Sequence, residues 1–242
     1  MVRKASAATR RILILDVGGS HVKIAFSGQH TEIKFLSGPK MTPGQMVRRV
    51  LRSVRGHRYD AVSIGYPGLV SHGRIAREPV NLGPGWIGFD FERGFRKPTR
   101  IVNDAAMQAL GCYRGGRMLF LGLGTGLGSA MIIDGKVAPM ELAHLPYKKE
   151  REYEEYVGEA GLERMGRKKW QKEVFTVVET LARALEPDYV TIGGGNVRKL
   201  KKLPPHCERG DNRDAITGGV RLWDDAVEAS LDPSVVRRSH AR

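Results

Sequence analysis

Three observations predict an α/β fold built from two related halves. The chain has 242 residues, which at about 100–200 residues per domain allows one large domain or two modest lobes with ample core. Apolar runs of strand type alternate with segments of helical periodicity. A strand, a glycine-rich turn and a return strand occur twice, at 11–26 and at 117–134, and suggest two related halves.

Each element follows from its residues. Residues 1–10 read as a short flexible arm. Ile12 to Leu15 is a buried-strand run; Val17-Gly18-Gly19-Ser20 then turns the chain into a second apolar run, Val22 to Phe26, giving a hairpin. Thr31 to Leu36 offers a third strand. Over 43–54, Met46, Val47, Val50, Leu51 and Val54 share one helical face, with Arg48, Arg49, Arg52 and Arg55 outside it. Tyr59 to Tyr66 is a strand ending in Pro67-Gly68. Residues 71–98 are rich in Gly and Pro and read as a long, ordered, functional loop region. Ile101-Val102 ends a short strand, and Asp104 is placed to cap an Ala-rich helix over 105–111. In the second hairpin, Arg117 to Leu123 and Leu127 to Ile133 flank Gly124-Thr125-Gly126. A helix over 151–165 is weakened by Gly158 and Gly161. The helix over 170–185 carries Trp170, Val174, Val177, Val178, Leu181 and Leu185 at helical spacing, and Pro187 stops it. Asp188 to Ile192 is a strand running into Gly193-Gly194-Gly195-Asn196. A helix from about Ala215 to Ala229 closes the fold, and the tail from Asp232 is frayed. The predicted division is 1–104 and 105–242, with the terminal helix free to return to the first lobe.

Composition narrows the class. Hydrophobic residues are 41% and charged residues 27%, ordinary for a soluble globular protein. No run reaches the roughly 18 apolar residues of a membrane span, and no signal-peptide core follows the basic start. Two cysteines, Cys112 and Cys207, support neither a disulfide scaffold nor a four-thiolate metal site, so a cytoplasmic protein is expected. The net charge of +14 reads as a generally basic surface or as the mark of a polyanionic partner, nucleic acid or a phosphate polymer. Basic residues cluster at Lys148, Lys149 and Arg151, at Arg164, Arg167, Lys168, Lys169 and Lys172, and at Arg198, Lys199, Lys201 and Lys202. Only Trp170 stands close by for stacking bases, which disfavours nucleic acid.

Three glycine-rich turns each follow a strand: Asp16-Val17-Gly18-Gly19-Ser20, Gly122 to Gly128, and Gly193 to Gly195. Hairpins need glycine for their own geometry, but glycine also lets backbone N–H groups approach a phosphate. Asp16 suits a role in holding a metal ion, directly or through water. Neither a Walker A sequence nor a dinucleotide fingerprint is present. Asp104 reads as a helix cap, as a general base, or as both. His144 reads as a buried structural histidine or a substrate contact, and Glu141 as a solvated loop charge or a substrate contact.

Six segments in this order resemble the ROK sugar kinases of the actin-like ATPase superfamily, whose lobes have a ribonuclease H-like fold: Asp16 to Lys23, Gly65-Tyr66-Pro67-Gly68, Val102 to Ala105, Leu123 to Gly128, Glu141-Leu142-Ala143-His144 and Gly193 to Gly195. The resemblance covers about residues 11–229. Asn81 with Gly85-Trp86-Ile87-Gly88, and Pro187 to Gly195, are most similar to the polyphosphate-dependent glucokinases within that family. The resemblance implies donor-phosphate contacts at Asp16, Gly18, Gly19, Ser20, Lys23, Gly124, Thr125, Gly126, Gly193, Gly194 and Gly195. It implies sugar contacts at Asn81, Asn103, Asp104, Glu141, His144 and Glu154, with Asp104 as catalytic base. It further implies two lobes with a cleft between them, Mg2+, with Asp16 as an indirect ligand, a polyphosphate or ATP donor, glucose as acceptor at its 6-hydroxyl, and a homodimer.

Departures from the family pattern are also legible. Residues 145–165 hold no cysteine, so no structural zinc is expected. The chain is short, Ser20 stands where threonine is common, and no helix-turn-helix precedes Asp16, which disfavours the repressor branch. An ATP-only hexokinase and a non-catalytic sugar or nucleotide sensor on the same fold remain as alternatives.

Overall fold

The computed structural model describes residues 10–211, 213–224 and 227. The first half contains β1 (Ile12–Val17), β2 (His21–Phe26), β3 (Ile33–Leu36), α1 (Pro43–Ser53), β4 (Ala61–Tyr66), β5 (Val70–Ser71), β6 (Arg74–Ile75), α2 (Phe91–Phe95), β7 (Thr99–Asn103) and α3 (Asp104–Cys112). The second contains β8 (Arg117–Leu123), β9 (Leu127–Ile133), β10 (Lys136–Met140), α4 (Glu154–Val157), α5 (Glu159–Leu185), β11 (Tyr189–Gly193), β12 (Cys207–Arg209) and α6 (Asp214–Arg221). Single 3-10 turns lie at Leu142–His144 and Gly195–Lys199.

The two halves repeat one topology. The first sheet runs β3-β2-β1-β4-β7 and the second β10-β9-β8-β11-β12. In each, two antiparallel ladders are followed by two parallel ones. Each sheet ends on a strand that leads into a helix, α3 from β7 and α6 after β12, and these two helices pack together. The repeat suggested by the two hairpins therefore extends to whole sheets.

Because both faces of each sheet are covered, the central strands are continuous apolar runs. One core cluster lies on the first sheet under α1 and the 82–95 segment, with Leu13, Val47, Val50, Trp86 and Phe91. A second lies under α5, with Leu119, Leu121, Trp170, Val174 and Val178. The third joins Ile12 and Ile14 of one sheet to Met118, Phe120 and Ile132 of the other through Ala106, Met107 and Leu110 of α3.

Local chemistry explains the ends, and several expectations are corrected. Thr42 and Gln45 form a reciprocal capping box at α1, with Pro43 in the first turn. Leu51, predicted on the buried face, is 38% exposed because it sits at the margin of that stripe. The 71–98 region contains the β5–β6 hairpin and α2, whose cap is Asp90, accepting from the Arg93 N–H at 2.8 Å. Asn103, not Asp104, caps α3: its Oδ1 accepts from the Ala105 and Ala106 N–H groups at 2.9 and 3.2 Å, and Asp104 is the first helical residue. Gly158 separates α4 from α5, whereas Gly161 lies within α5, where a Cβ would collide with the Tyr156 carbonyl. Helix α5 runs on to Leu185 across a break at Gly166, whose φ of 74° glycine tolerates. The predicted arm up to residue 9, the end of the last predicted helix and the tail from Asp232 lie outside the described residues, except that Val227 is described. Among the described residues no helix is long and apolar enough to cross a membrane.

Helix α6 binds both halves. A Cβ on Gly218 would strike the Met107 carbonyl of α3, one on Gly111 of α3 would strike the Asp214 backbone, and one on Gly219 would strike Ile14 of β1. Missing side chains thus set the distance between α6, α3 and the first sheet. The Ser63 hydroxyl donates to the Gly219 carbonyl at 2.6 Å and accepts from the Trp223 indole at 2.9 Å. Arg10 and Arg100 stack on the Trp223 ring at 4.8 and 4.1 Å. Arg221 donates to the carbonyls of Leu110 and Tyr113 at the end of α3.

A methyl group separates packing from propensity here. Alanine in place of an exposed helical glycine stabilises by up to about 1 kcal/mol, and Gly44→Ala in α1, which meets only ordinary contacts, is expected to follow that rule. Gly218→Ala is expected to destabilise by roughly 1–3 kcal/mol, because α3 and α6 must part. Urea denaturation of the two variants checks the opposite signs.

Candidate active site

Asp16 lies half-buried in β1 between the buried Leu15 and Val17, opposite Lys23 on β2 and Gly65 on β4. The Lys23 ammonium donates to Asp16 Oδ2 at 2.9 Å. Burial works to lower the Lys23 pKa, but the Asp16 charge and hydrogen bond outweigh it and the net shift is upward. The turn beyond is tight: the Gly18 N–H donates to the His21 carbonyl at 2.8 Å, and the Ser37 hydroxyl donates to the Gly18 carbonyl at 2.6 Å. The N–H groups of Gly19 and Ser20 and the Ser20 hydroxyl have no partner among the described residues. Asn81 lies against this turn, since a Cβ on Gly19 would come within 2.7 Å of Asn81 Cβ. The Asn81 segment is itself held by Glu78, whose carboxylate accepts from the Trp86 and Ile87 N–H groups at 3.1 Å, and by the buried Trp86 indole, which donates to the Gly83 carbonyl.

The second turn is built the same way. The Gly124 N–H donates to the Gly126 carbonyl at 3.1 Å, leaving the Thr125 and Gly126 N–H groups unpaired among the described residues. The Gly124 carbonyl accepts from the Glu159 N–H and from the Asn196 side chain, both at 3.0 Å. Asn196 also donates to Glu159 Oε2 at 2.5 Å, and Lys199 pairs with Glu159 Oε1 at 3.1 Å. The hydrogen bond from Asn196 and the Lys199 ammonium hold the Glu159 pKa below the usual range. The third turn abuts the second: Gly194, at φ 82°, leaves no room for a Cβ beside the Leu123 carbonyl. Gly193 pairs with Gly122 across β11 and β8. A Cβ on Gly126 would collide with the Glu154 carboxylate, so that acid lies against the second turn.

Asp104 stands where the groups meet. It opens α3 between the two sheets, where Gly128 of β9 lies 2.9 Å from Ala105 Cβ by its would-be Cβ, and Gly65 leaves room for Met107. Asp104 Oδ1 accepts from the Ala105 N–H at 2.8 Å, and the residue keeps partial access to the surface. Burial, then the negative charge of Asp16 and, more weakly, of Glu141, pushes its pKa up to about 7 against the opposing hydrogen bond from Ala105. Asn103 beside it uses Oδ1 for the helix cap and one amide hydrogen for the Gly68 carbonyl at 3.1 Å; one amide hydrogen remains.

His144 is exposed rather than buried. Its Nδ1 lies 2.7 Å from Glu152 Oε2, and its Nε2 lies 3.8 Å from Glu141 Oε2. The Glu152 hydrogen bond raises the His144 pKa. His144, Glu152 and Glu154 bring one ligand atom each within 4.8 Å of one another, a set able to hold a divalent ion. Cys112 and Cys207 lie apart from it, on α3 and β12.

The predicted residues therefore assemble in two groups, Asp16 to Lys23 with Asn81, and Gly124 to Gly126 with Gly193 to Gly195 and Glu154. Asp104 is coupled electrostatically to Asp16 of the first group and to Glu141, which approaches His144. No hydrogen bond joins the first turn to the other two among the described residues. Sequence reasoning missed Glu152, Glu159 and Asn196. Asn196 directly follows the third glycine turn and was legible as its neighbour; no spacing rule marks Glu152 or Glu159. A cavity of about 10 Å3 lies behind Asp16, between Ile14, Ala25 and Ala215. A depression of about 580 Å3 lined by Trp86, Phe89 and Thr99 contains none of the predicted site residues.

No family model matches the chain. It is 31% identical to polyphosphate glucokinase of Mycobacterium tuberculosis over 93% of this chain and 92% of that protein. Its structure resembles that of an inorganic polyphosphate/ATP-glucomannokinase from Arthrobacter sp. strain KM, with a TM-score of 0.75, 21% identity, and 87% and 97% of the two chains covered. It also resembles a ROK family glucokinase from Streptomyces griseus solved with glucose and AMPPNP, with a TM-score of 0.71, 16% identity, and 88% and 98% covered. The repeated sheets, the helix pair between them and the paired glycine turns are thus the actin-like ATPase fold, and the chain belongs to the ROK family of sugar kinases.

Proposed function

We propose that this protein transfers a phosphoryl group to the 6-hydroxyl of glucose, from inorganic polyphosphate and also from ATP, with Asp104 as general base. The observation that carries the reading is the position of Asp104, a carboxylate with raised proton affinity at the start of α3, coupled to Asp16 and to Glu141. A non-catalytic sensor has no need of such a group.

Asn103, Asp104, Glu141, His144 and Glu154, with Asn81, hold the sugar; its hydroxyls donate to the carboxylates and accept from the Asn103 amide hydrogen left free by the cap. Unpaired N–H groups at Gly19, Ser20, Thr125 and Gly126 receive phosphate oxygens. As the sugar oxygen bonds to phosphorus, the bond from phosphorus to the leaving phosphate breaks, and the hydroxyl proton passes to the Asp104 carboxylate. Lobe closure keeps water, a competing acceptor, away from the donor. Mg2+ fits Asp16 through water, because Lys23 already occupies Oδ2; bound there it would neutralise donor phosphate charge. Lobe division near residue 104 places the first turn in one lobe and the second and third in the other.

Asp104→Asn is expected to lower kcat by roughly 10²–10⁴ while glucose binding, followed by calorimetry, stays nearly unchanged; unchanged turnover removes Asp104 from the role of base.

A base must be deprotonated, so kcat/KM is expected to rise with pH through an apparent pKa of about 7. The same shift has a stability sign: the folded state holds its Asp104 proton to higher pH than the unfolded chain, so stability from this site is full below about pH 4 and is lost as pH rises through about 7. Melting curves of Asp104→Asn are expected to match those of the parent at pH 4 and to lie above them at pH 8.

Glu152→Gln is expected to lower the His144 pKa and to raise KM for glucose roughly threefold to tenfold, with kcat nearly constant. Proton NMR titration of His144 beside steady-state kinetics checks both effects.

A further inference from the structure

We propose that the kinked start of α5 and the segment after the third glycine turn form a single basic strip, which binds the part of a long inorganic polyphosphate chain that extends beyond the reacting phosphates. The proposal rests on the polyphosphate-donor reading above.

The sequence contains three basic clusters, and the structure treats them differently. Lys148 is tied to Glu173 at 2.7 Å and Arg151 approaches Glu155 at 3.8 Å, so the first cluster is largely neutralised. The second and third, more than 25 residues apart in sequence, are brought to one surface. The Arg167 Nε donates to the Lys199 carbonyl at 2.5 Å, and Gln171, one turn on, accepts from the Lys201 N–H at 2.9 Å. Trp170, fully buried between these residues, anchors this part of α5 by donating to the Val157 carbonyl. Arg167, Arg198, Lys201 and Lys202 are exposed, and none has a carboxylate within ion-pair distance among the described residues. Of the two acids on this stretch of α5, Glu159 is taken by Lys199 and Asn196, and Glu163 is exposed. Like charges gathered without partners repel one another, and a bound polyanion relieves that repulsion.

Continuity with the donor site selects the occupant. Asn196, just before Arg198, hydrogen-bonds the Gly124 carbonyl of the second turn, and Gly194 abuts Leu123. An anion held at Thr125 and Gly126 therefore leaves the site beside Arg198. A nucleotide donor ends in a nucleoside; a phosphate polymer carries further charges along the strip. Stacking aromatics, which a nucleic acid would use, are not offered, since Trp170 is buried.

The test compares wild type with Arg198→Glu/Lys201→Glu/Lys202→Glu, residues outside the catalytic groups and on exposed surface. Glucose phosphorylation is measured with long-chain polyphosphate, tripolyphosphate and ATP. The expected result is a KM for the long chain raised roughly tenfold or more in the variant, with kcat retained and with KM for ATP and tripolyphosphate changed less than twofold. Equal KM values for the long chain in both proteins overturn the strip while leaving the donor reading intact. Turnover with ATP but with neither polyphosphate overturns the donor reading and the strip together. Competition by single-stranded DNA as strong as by polyphosphate of matched charge assigns the strip to nucleic acid and overturns the proposal.

Discussion

The close approach of α3 and α6 between the two sheets is the constraint on which the rest of the molecule depends. Gly111 and Gly218 make it possible by presenting backbone where any side chain would intervene, and Gly219 lets α6 meet Ile14 of β1 in the same way. Through that contact the two sheets share one core layer, and the start of α3 is fixed relative to both. Asp104 is placed by this packing. Its raised proton affinity follows from the same arrangement, because a helix start between two sheets is poorly solvated and faces Asp16.

Duplicated topology explains how one fold supplies two alike glycine turns. The turn from β1 to β2 and the turn from β8 to β9 occupy equivalent places in equivalent sheets, and each closes with one internal hydrogen bond that leaves the next N–H groups without a partner among the described residues. The halves differ in what precedes the turn. The first carries Asp16, braced by Lys23, where the second has Gly122 lying flat beside Gly193. One half keeps a charge and the other keeps space, so the turns are alike in geometry and unlike in the chemistry that flanks them.

Much of this was legible in the sequence. The hairpins, α1 and the helix over 170–185 declared themselves by periodicity and punctuation, since their patterns are set by local burial. The chemistry-bearing motifs were legible because glycine turns and acids at strand ends stand out against an apolar background. What was missed depends on contacts distant in sequence. Asn103 and Asp104 are equivalent caps by composition, and only the path of β7 decides that Asn103 turns its oxygen to the helix. Glu152 reaches His144 because Tyr147 and Arg151 fold the intervening residues back on themselves. Glu159 and Asn196 meet across 37 residues. The 71–98 region reads as an ordered loop without regular elements because its order comes from Glu78 and Trp86 bonding to backbone, which leaves no periodic trace.

The distribution of acids has a consequence for turnover. In a chain of net charge +14, Glu141, Glu152 and Glu154 gather around His144, and Glu141 also faces Asp104. On the proposed reading, a neutral sugar enters this negative enclave without electrostatic resistance. Once phosphorylated there, it would be a dianion among carboxylates, and the field that was indifferent to its arrival would drive its departure. On that reading the enclave serves as an exit ramp for product and discourages an anionic donor from settling where the acceptor belongs.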